Sequence, residues 1–401
     1  MHPAKHQKFK TSNMYNFDQI TDRHGTDSVK WDGMEEMFGR NDLTPMWVAD
    51  MDFLTPAFIL DAISKRLDRR IMGYTTQPDE WKTTICSWQE NKHGWIIDKE
   101  HLGFIPGIVR GIAFALQALT EKGDKVMVMS PVYHPFFLVA EHNGRQVVRN
   151  TLKLNDGQYE IDFARFEEDV KGCKVFILSN PHNPGGRVWT KDELTKIADI
   201  CHANGTIVIS DEIHADLTFA PYKHIPFATV SDKAREISVI FGSPSKAFNT
   251  PGIITSYSVV PNDSLRRRFY SYLEASELNC GNMFAYITAI AAYKYGEQWL
   301  EELKCYLLGN IDLVETYLKK HCPQISMIRP QASYLIFLDC RKLQLDQDEL
   351  ERLFTEKIGI ALNTGTMFGE EGKGFMRMNI GTQREQVLKC LKKISREVNK
   401  L

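Results

Sequence analysis

The sequence predicts an α/β protein: a mostly parallel sheet with helices on both faces, followed by a smaller α+β domain. Three observations lead there. Short, nearly continuous runs of β-branched and apolar residues recur through the middle of the chain. Helical patterns lie between them, and the texture changes near Tyr286. Runs that are apolar on both faces suit strands covered on each side. Alternation of such strands with helices is the mark of a parallel sheet.

In chain order, strands are expected at Lys125–Ser130, Lys174–Ser179, Thr206–Ser210, Ile237–Phe241 and Ser256–Val260. The segment Gly111–Leu119 places Ile112, Ala115, Leu116 and Leu119 at helical spacing. Lys191–Ala203 is a second helix, opened by Thr190 with Glu193 three residues on, a capping-box pattern. Beyond Tyr286, Ile287–Tyr306 and Asn310–Lys320 read as long helices. Tyr334–Cys340 and Phe375–Ile380 read as strands, and Gln383–Lys400 as a closing helix. The first 45 or so residues are too polar to fold alone. The expected division is therefore a large domain over 46–286 and a small domain built from 1–45 and 287–401.

Composition narrows the function classes. Of 401 residues, 43% are hydrophobic, which leaves ample material for a core. Lys+Arg 49 against Asp+Glu 51 gives a net charge of -2, which argues against a nucleic-acid binder or a polybasic membrane anchor. The N-terminal stretch carries Lys5, Lys8 and Lys10 and no apolar core of signal-peptide length. The 8 cysteines are scattered without a C-x-x-C pair, so thiols in a reducing cytoplasm are expected. The 12 histidines show no zinc spacing, and no metal site is expected.

Polar and turn residues gather just after several of these strands, where open α/β sheets bind ligands. Ser179-Asn180-Pro181-His182-Asn183-Pro184-Gly185-Gly186 carries more than a plain turn requires, and the Asn183 amide suits a phenolic or carboxylate oxygen. Asp211-Glu212-Ile213-His214 begins with a carboxylate that is either a helix cap or a partner for a positive ring nitrogen. In Ser243-Pro244-Ser245-Lys246 the lysine has apolar and rigid neighbours, Pro244, Ala247, Phe248 and Pro251, which favour a desolvated nucleophilic amine. Pro106-Gly107-Ile108-Val109 opens a helix whose free N–H groups form an anion site.

The order of these clusters resembles the fold type I pyridoxal 5′-phosphate enzymes, the aspartate aminotransferase superfamily. The segments Pro45-Met46-Trp47-Val48-Ala49-Asp50-Met51-Asp52-Phe53, Asp211-Glu212-Ile213-His214-Ala215-Asp216-Leu217 and Ser245-Lys246-Ala247-Phe248-Asn249 are similar to the MalY/PatB branch. That branch holds cystathionine β-lyases, cysteine desulfhydrases and cystalysin-like C–S lyases. The resemblance runs from about Trp31 through nearly the whole chain.

The resemblance implies pyridoxal 5′-phosphate as cofactor and gives each residue a role. Lys246 bonds the cofactor covalently and later serves as the Cα base. Asp211 keeps the pyridine nitrogen protonated. Asn183 holds the ring hydroxyl oxygen, Tyr133 stacks on the ring, and His214 belongs to the same site. A core tyrosine after a strand is the rival reading of Tyr133. The phosphate falls to the N–H groups of Ile108 and Val109 and the hydroxyls of Ser243 and Ser245. Arg377 clamps the substrate α-carboxylate, with Ala49 and Asn183 beside it. Tyr74 reaches the cofactor phosphate of a neighbouring subunit, so a homodimer with shared active sites is implied. Tyr74 and protonated Lys246 are the candidate proton donors to the leaving group.

Two positions depart from the pattern: Arg110, where close relatives often carry Pro, and Ile254, where aspartate aminotransferases place a phosphate-binding Arg. The implied reaction is β-elimination from a small sulfur amino acid such as cystathionine, giving pyruvate, ammonia and a thiol. An aminotransferase is the nearest rival, and a regulatory protein that keeps the fold is the second.

Overall fold

The computed structural model describes residues 14–401. Lys5, Lys8 and Lys10 lie outside the described residues. The central sheet has seven strands: β1 Leu102–Ile105, β2 Lys125–Ser130, β3 Gln146–Thr151, β4 Cys173–Ser179, β5 Ile207–Asp211, β6 Ser238–Gly242 and β7 Ser256–Val259. Their order across the sheet is β1-β7-β6-β5-β4-β2-β3. The five strands from β6 to β3 are mutually parallel, and β7 runs antiparallel to both its neighbours. The expected mostly parallel sheet is present.

Alternation along each strand sends neighbours to opposite faces, and both faces are cores. Val126, Val128, Val175, Ile177, Val239 and Phe241 pack with the helix Ile108–Leu119 on one side. Met127, Met129, Phe176, Leu178 and Ile240 belong to the core on the other, with Leu194 and Ile197 of the helix Lys191–Ala203. Each such fully buried side chain contributes about 1.5–3 kcal/mol, so the sheet is the rigid part of the fold. The Thr190–Glu193 capping box forms as the sequence predicts. Helix Ile108–Leu119 lies close to the sheet because Gly111 has no side chain: a Cβ there would come within 2.7 Å of Ile105.

The smaller sheet comprises β8 Ser326–Ile328, β9 Leu335–Asp339, β10 Asn363–Thr364 and β11 Phe375–Asn379, antiparallel in the order β8-β9-β11-β10. Helix Arg384–Val398 closes the chain. Thr44–Pro45 pairs parallel with Ile360–Ala361, joining the N-terminal segment to this part.

One helix boundary differs from the expectation. The helix Glu297–His321 is continuous through 307–309, and the break lies earlier, at Gly296. Gly309 is a packing glycine rather than a breaker, since a Cβ there would come within 2.6 Å of the Arg384 guanidinium. Gly296 ends the helix Met283–Tyr295, and a Cβ there would overlap Phe248 and the Ala292 carbonyl. No described helix is long and apolar enough to cross a membrane. The eight cysteines are all free thiols. Among the described residues no cluster of His, Cys, Asp and Glu could hold a metal ion.

Candidate active site

The parallel run β2-β4-β5-β6 places four strand ends side by side. The residues that follow them therefore arrive at one edge in sheet order: Tyr133 after β2, Asn183 after β4, Asp211 and His214 at the end of β5, and Lys246 after β6. They line one cavity of about 300 Å³, together with Ala49, Ile108, Val109, Arg110, Ser245, Ile254 and Ser256. Ser243, Arg377 and Tyr74 are not among its lining residues.

Lys246 Nζ donates to the Ala49 carbonyl at 2.6 Å. Its ammonium is pushed down to about 8, chiefly by desolvation. Asp50 and Asp211 oppose that shift and Arg377 adds to it. Asp211 is buried and accepts only the Ile213 N–H, at 3.0 Å. Burial pushes its carboxyl up to about 7, and neighbouring Glu212 acts in the same direction. His214 is buried with Nδ1 unpartnered, and desolvation holds its imidazolium down at about 3, so the ring is neutral. Tyr133 is half-buried and its phenol is raised by desolvation.

Arg377 projects from β11 and is 4% exposed. Its Nη2 donates to Asn363 Oδ1 at 2.7 Å and to the Trp47 carbonyl at 3.3 Å, and its Nη1 to Asn183 Oδ1 at 3.3 Å. The guanidinium lies over the Phe368 ring at 4.7 Å. No carboxylate meets it, its Nε is buried without a partner, and desolvation lowers it to about 10. Arg377 thus reaches the cavity through Asn183.

The helix Ile108–Leu119 starts at Gly107, whose φ of +103° is open to glycine, and no side chain caps it. Its first N–H groups, including those of Ile108 and Val109, have no partner within the helix, an arrangement suited to an anion. Ser245 lines the cavity beside them. Ser243 sits behind: its hydroxyl contacts the Thr255 carbonyl and lies 2.8 Å from Ser245 Oγ. Ile254 walls the cavity near Gly107 with φ +56°, a conformation that β-branched residues rarely adopt. The cation on this side is Arg110, exposed, with Nη1 at 3.4 Å from the Pro106 carbonyl. Tyr74 is fully exposed and away from this chain's cavity.

Several further residues support the site without a role assigned from the sequence. Asn249 clamps the segment 47–53: its Oδ1 accepts Met51 N–H at 2.9 Å, and its Nδ2 donates to the Met51 and Phe53 carbonyls at 3.0 and 2.7 Å. Tyr334 donates its hydroxyl to the Ala49 carbonyl at 2.9 Å. Glu212 accepts from His224 Nε2 (2.9 Å), Phe227 N–H (2.8 Å), Ser210 Oγ (3.0 Å) and Asn180 Nδ2 (3.4 Å). It ties β5 to the loop that carries Asn183. Ser179, Ile213, Pro251 and Ser256 also line the cavity.

Residues 42–394 match the family model described as aminotransferase class I and II. The chain belongs to this family. It is 44% identical over 368 residues to the cystathionine β-lyase PatB of Bacillus subtilis, covering 91% of this chain and 95% of that one. It is 33% identical over 380 residues to the MalY protein of Escherichia coli, covering 94% and 97%. Among solved structures, Treponema denticola cystalysin, which contains a pyridoxal 5′-phosphate cofactor, superposes with a TM-score of 0.93 at 30% identity, covering 96% of this chain and 99% of that one. The MalY/PatB resemblance of the sequence is thereby established.

Proposed function

We propose that this class I and II aminotransferase family member is a pyridoxal 5′-phosphate-dependent carbon–sulfur lyase. Its reaction is β-elimination from a small sulfur amino acid, yielding pyruvate, ammonia and a thiol. The observation that carries the reading is the pairing, in one cavity, of a desolvated Lys246 with an Asp211 carboxylate that has no cation bonded to it.

The residues fit the cofactor. An uncapped helix start suits a phosphate. A buried carboxylate raised to about 7 suits a ring nitrogen that brings its own proton. The Arg377 fork, buried without an acid, suits a substrate carboxylate. When bound, pyridoxal 5′-phosphate supplies the electron sink that makes the substrate Cα proton removable.

The positions of the chain's own groups support these roles. Lys246 would carry the cofactor through its Nζ, which is desolvated and held at the Ala49 carbonyl. A Lys246 amine lowered to about 8 is largely protonated at neutral pH yet able to lose its proton, which suits a group that takes the Cα proton and returns it to the departing sulfur. Asp211 keeps the ring nitrogen protonated, and Asn183 donates its amide N–H to the ring oxygen. Tyr133 and neutral His214, which line the cavity, would border the ring. Arg377, bonded to Asn183, would hold and orient the substrate carboxylate, with Ala49 lining the cavity. Ile108, Val109 and Ser245 hold the phosphate, with Ser243 orienting Ser245.

The reading includes a homodimer in which Tyr74 enters the partner's site, supported by its full exposure here. It also takes 46–286 as the cofactor-binding domain and 1–45 with 287–401 as the small domain. The pairing of Thr44–Pro45 with Ile360–Ala361 supports this, and residue 286 lies within the helix Met283–Tyr295. A cytoplasmic site of action belongs to the same reading, supported by the eight free thiols.

Incubation with L-cystathionine or L-cysteine is expected to release pyruvate with thiol or sulfide. Amino-group transfer to a 2-oxo acid without pyruvate would overturn the lyase reading in favour of an aminotransferase. Mixing inactive Y74A and K246A variants is expected to restore part of the activity through hybrid dimers, and no restoration would remove Tyr74 from the partner's site.

A further inference from the structure

The Asp50 carboxylate has no part in the roles given above. It follows directly on Ala49, whose carbonyl receives the Lys246 amine. Its Oδ2 accepts Arg23 Nη2 at 2.6 Å, while its Oδ1 is buried and has no hydrogen-bond partner. A buried, unpaired carboxylate oxygen is costly, so its retention one residue from the carbonyl that holds the Lys246 amine calls for a physical reason.

The segment holds Asp50 in place from several sides. Asn379 Nδ2 donates to the Val48 and Asp50 carbonyls at 2.5 and 2.7 Å, and the Asn249 side chain grips Met51 and Phe53. Lys30 Nζ lies 3.4 Å from the Asp50 carbonyl and pairs with Asp52 at 2.7 Å. Arg23 reaches both acids, Asp52 at 2.8 Å, and so shares its charge between them.

The charges that act on Lys246 come from three elements: Asp50 from the segment 47–53, Asp211 from the end of β5, and Arg377 from β11. His214 beside it is neutral. Asp50 and Asp211 favour the ammonium and Arg377 disfavours it; of the three, Asp50 is joined directly to the residue whose carbonyl receives that amine. Asp211 is committed to the ring nitrogen and Arg377 to the substrate carboxylate. Asp50 is then the charge left to act on the lysine nitrogen.

We propose that Asp50 is a positioning residue that holds the proton on the Lys246 nitrogen, and that Arg23 sets how much of its charge reaches that nitrogen. The proton taken from Cα thus stays on Nζ until the C–S bond breaks, and leaves with the thiol. This inference rests on Lys246 as the cofactor-bearing residue.

The test is a pH titration of the holoenzyme's visible absorption without substrate, which follows the proton on the Lys246 nitrogen where it joins the cofactor. D50N is expected to lower the midpoint by about one pH unit, a tenfold change in the proton equilibrium. R23Q is expected to raise it. A purely structural Arg23–Asp50 pair would move both midpoints in the same direction, because both variants break the same contact. Same-direction shifts, or no shift in either, would overturn the proposal. If D50N does not fold, R23Q decides alone: a raised midpoint supports the proposal and any other result overturns it. The separate control is K246A. If that variant keeps the native visible band, the cofactor assignment fails and takes this inference with it. If K246A loses the band while D50N and R23Q leave the midpoint in place, only the Asp50 role fails.

Discussion

Asp211 and Glu212 are adjacent, both buried, and opposite in their surroundings. Asp211 faces the cavity and accepts one backbone N–H. Glu212 faces away and accepts from an imidazole, a backbone N–H, a hydroxyl and an amide. The same contrast separates Arg377, which has no acid partner, from Lys30, which is fully buried and paired with Asp52 at 2.7 Å. Charges satisfied within the chain build the frame. Charges left unsatisfied mark where a ligand completes the site, because burying an unpaired charge is otherwise unfavourable.

The sharpest way to break this contrast is at Lys246. K246A is expected to abolish the cofactor's visible band and reduce pyruvate formation by at least about 10²–10⁴-fold, the usual worth of a positioned acid–base group. Retained turnover would refute its role. The next effect lies on the other side of the pair. E212A leaves His224, the Phe227 N–H and the Ser210 hydroxyl without their acceptor, while Asn180 keeps the Ile225 carbonyl, and is expected to cost about 3–5 kcal/mol in urea unfolding. A loss below about 1 kcal/mol would show that the network does not hold the frame.

R377K is expected to raise KM for the amino acid about 10–100-fold, since a point charge cannot replace a donor fork worth about 1.5–3 kcal/mol. An unchanged KM would move the carboxylate site elsewhere. A pH-dependent effect is expected in D211N. A carboxyl raised to about 7 when folded binds its proton more tightly than in the unfolded chain. Its contribution therefore favours the folded protein at low pH and is lost as pH rises from about 4 to about 7. In cofactor-free protein, the stability difference of wild type minus D211N is expected to fall across that window. A flat difference would mean that the Asp211 carboxyl is not perturbed.

Much of the frame is legible in sequence because buried parallel strands are apolar on both sides, as in Lys125–Ser130, and because Thr190–Glu193 is a local cap. Strand β3 is less legible, since an edge strand such as Gln146–Thr151 is polar along one side. The continuous helix through Gly309 hides behind a glycine whose reason is the distant Arg384. In the site, Asn183, Asp211 and Lys246 stand in motifs because each follows a strand directly. Asn363, which orients Arg377, and Tyr334, which shares the Ala49 carbonyl, stand in no motif. They reach the site only through packing of segments far apart in the chain.

That shared carbonyl has one more consequence. An amide oxygen has two lone pairs, and Ala49 spends one on Tyr334 and the other on Lys246. It is a berth with room for a single visitor. In the reaction proposed above the lysine would leave this berth for the cofactor, and the freed lone pair would be open to an incoming ammonium. The same backbone oxygen can thus serve host and guest in turn, and a side-chain substitution at position 49 would leave that oxygen in place.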